Sequence, residues 1–289
     1  MKVYDCFPFF NEIDLLEIRL QELWNNVDVF VITESNFGYS GKFKPYNFKN
    51  NQERFAPYIS KIRYIEVNDM PNNGNAWDNE YWQRNAAVRQ LDDLTSEDIV
   101  IISDCDEIPR SEAIDLIKND TNNWDRYILA MPMFQYKINY MKIYDRSVQR
   151  NIIVVRGRSF TTPLEERRNT FWWVTRPPKD TTYIDHAGWH FTYFGDDNSA
   201  IEKLQNFSHI EEGKAEITNS YNIDKFIENK CCHARGNNTD KFEYAIVDEY
   251  FPESITKNLQ EWAHMIIPNA TYTVEELYEV NPRKQEIYV

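Results

Sequence analysis

The N-terminal third of the chain alternates between apolar runs and stretches in which apolar residues recur at every third or fourth position. The runs predict strands over residues 2–7, 27–33, 61–67 and 99–102. The three-and-four spacing predicts helices over residues 12–25 and 77–91. Strands that alternate with helices are typical of a mostly parallel sheet with helices on its faces. We therefore expect an α/β fold of the Rossmann-like kind.

The rest of the chain has a less regular apolar pattern. It predicts a helix over residues 111–118, two strands within 127–144, a strand over 151–155 and a helix from Asp196 to about residue 209. Residues 157–181 contain three prolines and are predicted to form a loop. We expect a single domain, with residues 1–210 as its core and residues 211–289 as a helical C-terminal extension packed on that core.

Composition and charge narrow the classes of function. The chain has 289 residues, and 42% of them are apolar, which is enough for a large core. Its formal net charge of −14 argues against a nucleic-acid-binding protein, which needs a basic surface. Residues 146–179 depart from this average with a local charge of +6. That segment could meet a diphosphate or an anionic acceptor, or it could form an ordinary solvated face.

The cysteines and the start of the chain bear on the cellular setting. Cys6, Cys105, Cys231 and Cys232 form no Cys-x-x-Cys pair, so neither a disulfide scaffold nor a structural zinc site is expected. The N-terminal residues do not resemble a signal peptide, and no apolar run reaches the roughly 18 residues of a membrane span. We expect a soluble cytoplasmic protein without a transmembrane segment.

The strand predicted over residues 99–102 leads directly into three acids, Asp104, Asp106 and Glu107. Ligand sites in open α/β sheets lie at the carboxyl ends of strands. Two carboxylates one residue apart at such an end suit one hard divalent cation, Mg²⁺ or Mn²⁺, which shares oxygen ligands with substrate phosphates. Such an Asp-x-Asp is typical of nucleotide-sugar transferases with a GT-A fold, although acids at strand ends also form solvated turns.

The predicted helix over residues 77–91 places three large side chains on one face. Trp77, Tyr81 and Arg84 follow each other at steps of four and three. Arg84, which precedes Asn85, could hold a phosphate through its guanidinium group. The same row is equally compatible with a surface helix that has one stripe facing the core.

A second candidate segment is the pentapeptide that begins at His186 and ends at His190. Gly188 lets the backbone approach a neighbour closely, and His190 could be a metal ligand or a general acid or base. A histidine in an aromatic segment is also often a hydrogen-bonded core residue. The common phosphate-binding, hydrolase and zinc-protease motifs are absent from the sequence, which leaves a metal with arginines as the means of holding a diphosphate.

Four segments, taken in order, resemble glycosyltransferase family 17, the family of the β-1,4-mannosyl-glycoprotein 4-β-N-acetylglucosaminyltransferases. They are FNEIDLLEIRLQEL (residues 10–23), VDVFVITESNF (residues 27–37), IISDCDEIP (residues 101–109) and HAGWH (residues 186–190). With gaps, the likeness extends from about residue 3 to about residue 265.

This resemblance implies a GT-A-like fold, a UDP-sugar donor with UDP-GlcNAc as the best candidate, a glycan acceptor and inversion at the anomeric carbon. It implies that Asp104 and Asp106 hold Mn²⁺ or Mg²⁺ and that His190 completes the metal site. Nucleotide-sugar contacts are expected from Glu34, Arg84, Asn85, Asp104 and Trp189. Catalytic roles are expected for Asp106, Glu107 and Asp185.

An inverting transfer also needs a base for the acceptor hydroxyl. The candidates are Asp185, Asp196 and Glu34, with Asp185 first because it adjoins the pentapeptide. Stacking on sugar rings is expected from Trp172, Trp173 or Trp189. Two other classes of protein stay open: a metal-dependent nucleotidyl- or phosphotransferase that uses the same acids, and a catalytically silent carbohydrate-binding protein.

Overall fold

The structure is a computed structural model. It describes residues 1–143, 148–170, 178–209, 218–219, 221–232 and 241–279. The chain divides into two compact units. The first unit comprises Met1–Ala130 and Arg150–Gly188, and the second comprises Met131–Gln149 and Trp189–Val289. Within the described ranges, no helix has the length and apolar character needed to cross a membrane.

Strands and helices are interspersed along the whole of the described chain. The strands are β1 (Val3–Pro8), β2 (Val29–Ser35), β3 (Ile62–Val67), β4 (Ile99–Ile102), β5 (Glu107–Pro109), β6 (Arg126–Gln135), β7 (Tyr140–Lys142), β8 (Val148–Arg156), β9 (Thr181–Ile184), β10 (Gly188–Thr192) and β11 (Phe242–Tyr244). The α-helices are α1 (Ile13–Leu23), α2 (Asn47–Asn50), α3 (Ala76–Asn85), α4 (Ser111–Asn119), α5 (Pro163–Thr170), α6 (Asp197–Asn206), α7 (Ile223–Glu228), α8 (Glu253–Thr256), α9 (Leu259–Trp262) and α10 (Val274–Glu279).

The first unit is built on a mostly parallel sheet. Strand β1 pairs in parallel with β2 on one side and with β4 on the other, and β3 pairs in parallel with β2. Strand β8 runs antiparallel to β4, so the sheet is mixed. Strands β1, β2 and β4 are buried along their whole length. This burial explains why they appear in the sequence as apolar runs without alternation.

The second unit is rich in buried aromatic side chains. The last residues of β6 pair in parallel with β10 and antiparallel with β7, and β11 pairs antiparallel with β7. Tyr140 stacks on Phe242 with ring centroids 4.7 Å apart, and Tyr136 stacks on Phe226 at 6.0 Å. Much of the aromatic content of the sequence therefore fills this core.

Most of the predicted elements are found, and two regions differ. Residues 157–181, predicted to be a loop, contain the helix α5, Pro163–Thr170. The expected boundary at residue 210 does not coincide with the two units of the structure, and the described residues beyond it include strand β11 as well as helices. The α/β class with a mostly parallel central sheet is confirmed.

Candidate functional site

The acidic loop, residues 103–107, follows β4 directly and is closed by its own hydrogen bonds. The backbone N–H of Asp104 donates to Glu107 Oε2 at 2.7 Å, and the N–H of Glu107 donates to the carbonyl of Asp104 at 3.0 Å. Glu107 and Asp106 are buried, whereas the side chain of Asp104 is 32% exposed. Asp104 is therefore the acid of this loop that is most accessible to a ligand.

Arg84 of helix α3 holds one oxygen of Asp104. Its Nη2 donates to Asp104 Oδ1 at 2.7 Å and to Glu80 Oε1 at 3.0 Å. Its Nη1 donates to the carbonyl of Ser103 at 3.4 Å. Burial alone would lower the pKa of Arg84, but the carboxylates of Asp104 and Glu80 raise the pKa above its usual value. The guanidinium group therefore keeps its charge inside the protein.

Arg167 of helix α5 holds the other oxygen of Asp104. Its Nη2 donates to Asp104 Oδ2 at 3.2 Å, and its Nη1 donates to Glu107 Oε2 at 2.9 Å. The Asp104 carboxylate is thus fixed between two guanidinium groups from two helices. A single rotation of this carboxylate would break both contacts, so its plane is set before any ligand binds.

Helix α5 is placed by contacts to its first turn. The side-chain oxygen of Asn85 accepts a hydrogen bond from the N–H of Leu164 at 3.0 Å, and Glu166 accepts one from Arg126 at 2.7 Å. Asn85 binds the start of α5 in the structure, and its expected contact with the nucleotide sugar stays a prediction. Through α5 it positions Arg167, which the sequence reasoning missed.

A second arginine that sequence reasoning missed lies beneath the acidic loop. Arg19 of α1 has no exposed surface and forms a two-pronged ion pair with Asp5 of β1. Its Nη1 donates to the carbonyls of Asp104 and Glu107 at 3.0 and 2.7 Å, and its Nη2 donates to Ser103 Oγ at 2.6 Å. Arg19 therefore fixes the backbone of the loop from inside the core.

Tyr39 is a third residue without a signal in the sequence. Burial raises the pKa of its hydroxyl well above the usual value, and the carboxylates of Glu80 and Asp104 raise the pKa further, against the effect of Arg84. Its hydroxyl is therefore protonated at neutral pH. The side-chain amide of Asn79 holds the backbone of Tyr39, donating to its carbonyl at 2.9 Å.

Glu34 lies at the end of β2 and organises the segment that follows. Its carboxylate accepts hydrogen bonds from Lys44 Nζ at 2.8 Å, the N–H of Phe48 at 3.1 Å and the hydroxyl of Tyr64 at 2.9 Å. The N–H of Asn47 also donates to it. Burial raises the pKa of Glu34, although Lys44 opposes this shift. Its predicted roles in nucleotide-sugar binding or as a base stay predictions.

The predicted residues of the later segment are divided between the two units. Asp185 belongs to the first unit, and its Oδ1 accepts a hydrogen bond from the N–H of His186 at 3.0 Å. Gly188 lets its backbone pass that of Ile108, because an added Cβ would lie 2.4 Å from the Ile108 carbonyl. The glycine therefore serves close packing within the protein.

Trp189 and His190 belong to the second unit and lie on β10. Trp189 is 1% exposed, and its indole N–H donates to the carbonyl of Tyr250 at 3.1 Å, so it packs as a core residue. His190 is partly buried and lies opposite Met133 in the β-ladder. A sugar contact for Trp189 and a metal-ligand role for His190 stay predictions. Trp172 and Trp173 lie outside the described residues.

The acidic loop offers the donor atoms that a hard cation prefers. The described part of the chain contains no group of three or more His, Cys, Asp and Glu side chains arranged to hold a metal ion. Magnesium is commonly bound through one or two carboxylates together with substrate phosphates, and Asp104 and Asp106 supply that number. The charged groups described around the loop leave a formal charge of −2, which one divalent cation would balance. These groups are Asp5, Glu80, Asp104, Asp106 and Glu107 with Arg19, Arg84 and Arg167.

Parallel strands that end in an acidic loop, with guanidinium groups fixed against it, define an α/β protein with a candidate ligand site at its strand ends. Residues 1–238 match the family model of glycosyltransferase family 17, and the chain belongs to that family. The GT-A-like fold expected of such a chain agrees with the parallel β3-β2-β1-β4 order and the acids that follow β4.

Similar proteins include N-acetylglucosaminyltransferases of mammals. The chain is 32% identical over 125 residues to the beta-1,4-mannosyl-glycoprotein 4-beta-N-acetylglucosaminyltransferase of Homo sapiens, and 30% identical over 125 residues to that of Rattus norvegicus. Each match covers 40% of this chain, and it covers 24% of the human protein and 23% of the rat protein. Among solved structures, S. aureus TarS 1–349 in complex with UDP-GlcNAc aligns with a TM-score of 0.40 at 12% identity, over 71% of this chain and 65% of that chain.

Proposed function

We propose that the chain transfers a sugar, with N-acetylglucosamine as the best candidate, from a UDP-sugar to a hydroxyl group of a glycan, with inversion at the anomeric carbon. Membership of glycosyltransferase family 17 and the names of the mammalian relatives support the reaction class. The observation that carries the proposal is the Asp104 carboxylate, partly exposed at the end of β4 and fixed between Arg84 and Arg167.

The protein groups around Asp104 suit the binding of a diphosphate. Arg84 and Arg167 place two charged guanidinium groups at the loop, and guanidinium groups bind phosphate oxygens with directed pairs of N–H donors. Glu107 orients the loop by accepting hydrogen bonds from the Asp104 N–H and from Arg167. Asp104 and Asp106 would hold Mn²⁺ or Mg²⁺, which when bound supplies charge neutralisation for the departing UDP.

The acceptor half of the reaction requires a proton acceptor on the side of the sugar opposite the departing UDP. We assign this role to Asp185, as the sequence suggested. Its carboxylate is partly exposed and accepts a hydrogen bond from its neighbour in the chain, which orients one oxygen. An Asp185→Asn variant keeps this hydrogen-bond acceptor and removes the basic oxygen.

The donor half can be tested by calorimetry with UDP-GlcNAc, in Mn²⁺ and in EDTA. We expect metal-dependent binding that weakens at least about tenfold, or 1.4 kcal/mol, in Asp104→Asn and Asp106→Asn. Asp14→Asn is the matched control, because Asp14 is an exposed acid paired with Arg54 away from the loop. Equal affinity in all three variants and the wild type would contradict the proposed donor site. Product analysis then separates the rival class, since a sugar transferase releases UDP and a nucleotidyltransferase releases pyrophosphate.

A further inference from the structure

Helix α3 carries two large aromatic side chains at its solvent side. Trp77 is 37% exposed, and Tyr81 is partly buried. Their ring centroids are 6.0 Å apart with planes inclined by 39°. The guanidinium carbon of Arg168 lies 4.8 Å from the centroid of the Tyr81 ring. These three side chains form a continuous row, the aromatic row, of two rings and one planar cation.

The aromatic row is built by the same two helices that fix Asp104. Trp77 and Tyr81 share a helix face with Arg84, and seven residues of α-helix separate Trp77 from Arg84 by about 10 Å along the axis. Arg168 follows Arg167 on α5. Each helix therefore contributes one arginine to Asp104 and at least one member to the aromatic row. The aromatic row and the arginines that hold Asp104 therefore belong to the same two helices.

The composition of the row matches one class of ligand. A pyranose ring has an apolar face of C–H groups and a rim of hydroxyls, so it stacks on an aromatic ring while its rim bonds to water and cations. The side chain of Arg168 is 51% exposed and can donate to such a rim. Trp77 keeps 37% of its surface accessible, so part of its ring is available to a ligand.

We propose that Trp77, Tyr81 and Arg168 form the acceptor subsite, in which a pyranose ring of the glycan stacks on Trp77 while a neighbouring ring presents its hydroxyl to the donor sugar. This inference rests on the proposed function, because it assigns the second substrate of the same reaction. It places acceptor recognition on α3 and α5.

The test measures glycan binding and donor binding separately in the 289-residue chain. Chitotriose, mannotriose and maltotriose are titrated by saturation-transfer NMR in the presence of UDP and Mn²⁺, and UDP-GlcNAc is titrated by calorimetry. The variants are Trp77→Ala, the ring-preserving Trp77→Phe and the control Trp82→Ala. Trp82 is 43% exposed on the same helix but lies on another face, where its side chain bonds to Asp69.

We expect at least one trisaccharide to bind the wild type and to bind Trp77→Ala about tenfold more weakly. Trp77→Phe should recover most of this loss, and Trp82→Ala should bind as the wild type does. UDP-GlcNAc affinity should stay within about twofold in all variants. Unchanged glycan affinity in Trp77→Ala, equal losses in Trp77→Ala and Trp82→Ala, or no trisaccharide binding to the wild type would each overturn the acceptor subsite. Failure of the wild type to bind UDP-GlcNAc would instead count against the proposed function.

Discussion

Arg19 is a charged side chain with no exposed surface, and the structure shows how its burial is compensated. Its Nε and Nη2 donate to the two carboxylate oxygens of Asp5, and Nη2 also donates to Ser103 Oγ. Its Nη1 donates to backbone carbonyls of the acidic loop. The guanidinium carbon also lies 4.3 Å from the ring centroid of Phe7. Loss of water around the cation is offset by directed bonds on all three nitrogens.

Removing either member of this ion pair leaves the other charge buried without its partner. We expect Arg19→Met and Asp5→Asn each to lower the free energy of unfolding by about 3–5 kcal/mol, measured by urea denaturation at pH 7. The control is Arg54→Met, because the exposed Arg54 pairs with acids on the surface of α1 and should cost less than about 1 kcal/mol. A similar loss in Arg19→Met and Arg54→Met would show that the buried pair is not critical.

Some residues of the site were predictable from the sequence, and others were not. Asp104, Asp106 and Glu107 follow an apolar run, and that context marks them as a site. Asp5 and Arg19 occupy positions that the apolar pattern assigns to the core, and Arg19 meets the acidic loop across more than 80 residues of chain. No local pattern predicts a contact at that separation, because it depends on how α1 packs against the sheet.

At the scale of elements, the carboxylate of Asp98 connects the beginnings of the neighbouring strands β1 and β4. Asp98 Oδ1 accepts a hydrogen bond from the N–H of Lys2 at 2.6 Å, and Oδ2 accepts from the N–H and hydroxyl of Thr95 at 2.8 Å each. The N–H of Gly157 donates to the carbonyl of Asp98 at 2.7 Å. A Cβ on Gly157 would lie 2.0 Å from the carbonyl of Thr95, so only glycine allows the two backbone segments to pass this closely.

Asp98 should make stability depend on pH. Although burial opposes the shift, hydrogen bonds from Lys2 and Thr95 lower the pKa of Asp98 below its usual 3.8. A lowered pKa in the folded state gives a stabilisation that is present above the unfolded-state pKa and is lost as the pH falls through the folded-state pKa. We expect Asp98→Asn to lower the free energy of unfolding by about 1–3 kcal/mol at pH 7.

The difference in the free energy of unfolding between the wild type and Asp98→Asn should become smaller once the pH falls below about 4. Urea denaturation at pH 7, 5 and 3.5 measures this difference. The matched control is Asp115→Asn, because the Asp115 side chain is 59% exposed and its ion pair with Lys118 is long, at 4.0 Å. If the difference in the free energy of unfolding stays constant over this pH range, the ionisation of Asp98 does not contribute to stability.

Elements with an apolar pattern were predictable, and those fixed by polar contacts were not. Strands β1, β2 and β4 are buried on both sides, which the sequence records as apolar runs. Helix α5 has the sequence PLEERRNT, which lacks an apolar stripe. Its place depends on Asn85 and on the Arg126–Glu166 ion pair. The proline at its start and the acids in its first turn were the available signals for a helix.

At the scale of the whole molecule, the four cysteines differ in burial between the two units. Cys6 lies on β1 and Cys105 in the acidic loop, and both are 2% exposed. Cys231 and Cys232 of the second unit are partly buried. None of the four is part of a disulfide bond in the described part of the chain. Their accessibility therefore distinguishes the surface of the second unit from the interior of the first.

We expect Ellman's reagent to modify two thiols readily in the native protein and four in denaturant. Cys6 and Cys105 should react only as fast as the first unit unfolds, because burial blocks access, and burial also raises the pKa of the Cys6 thiol well above its usual value. Mass spectrometry of the modified peptides assigns each rate. Modification of Cys105 as fast as Cys231 would mean that the acidic loop opens in the native state.

The attachment of the acidic loop to Arg19 also has a consequence for the divergence of such proteins. The backbone of the loop is held by a side chain from the core, whereas the Asp104 carboxylate is also held by Arg84 of α3 and Arg167 of α5. Insertions and substitutions in surface loops that contact neither Arg19 nor these two helices are therefore expected to leave the backbone of the acidic loop unchanged. Under the proposed function, a lineage of such proteins is free to change its acceptor preference at exposed positions such as Trp77 and Arg168, while the backbone that carries the acids is inherited with the fold.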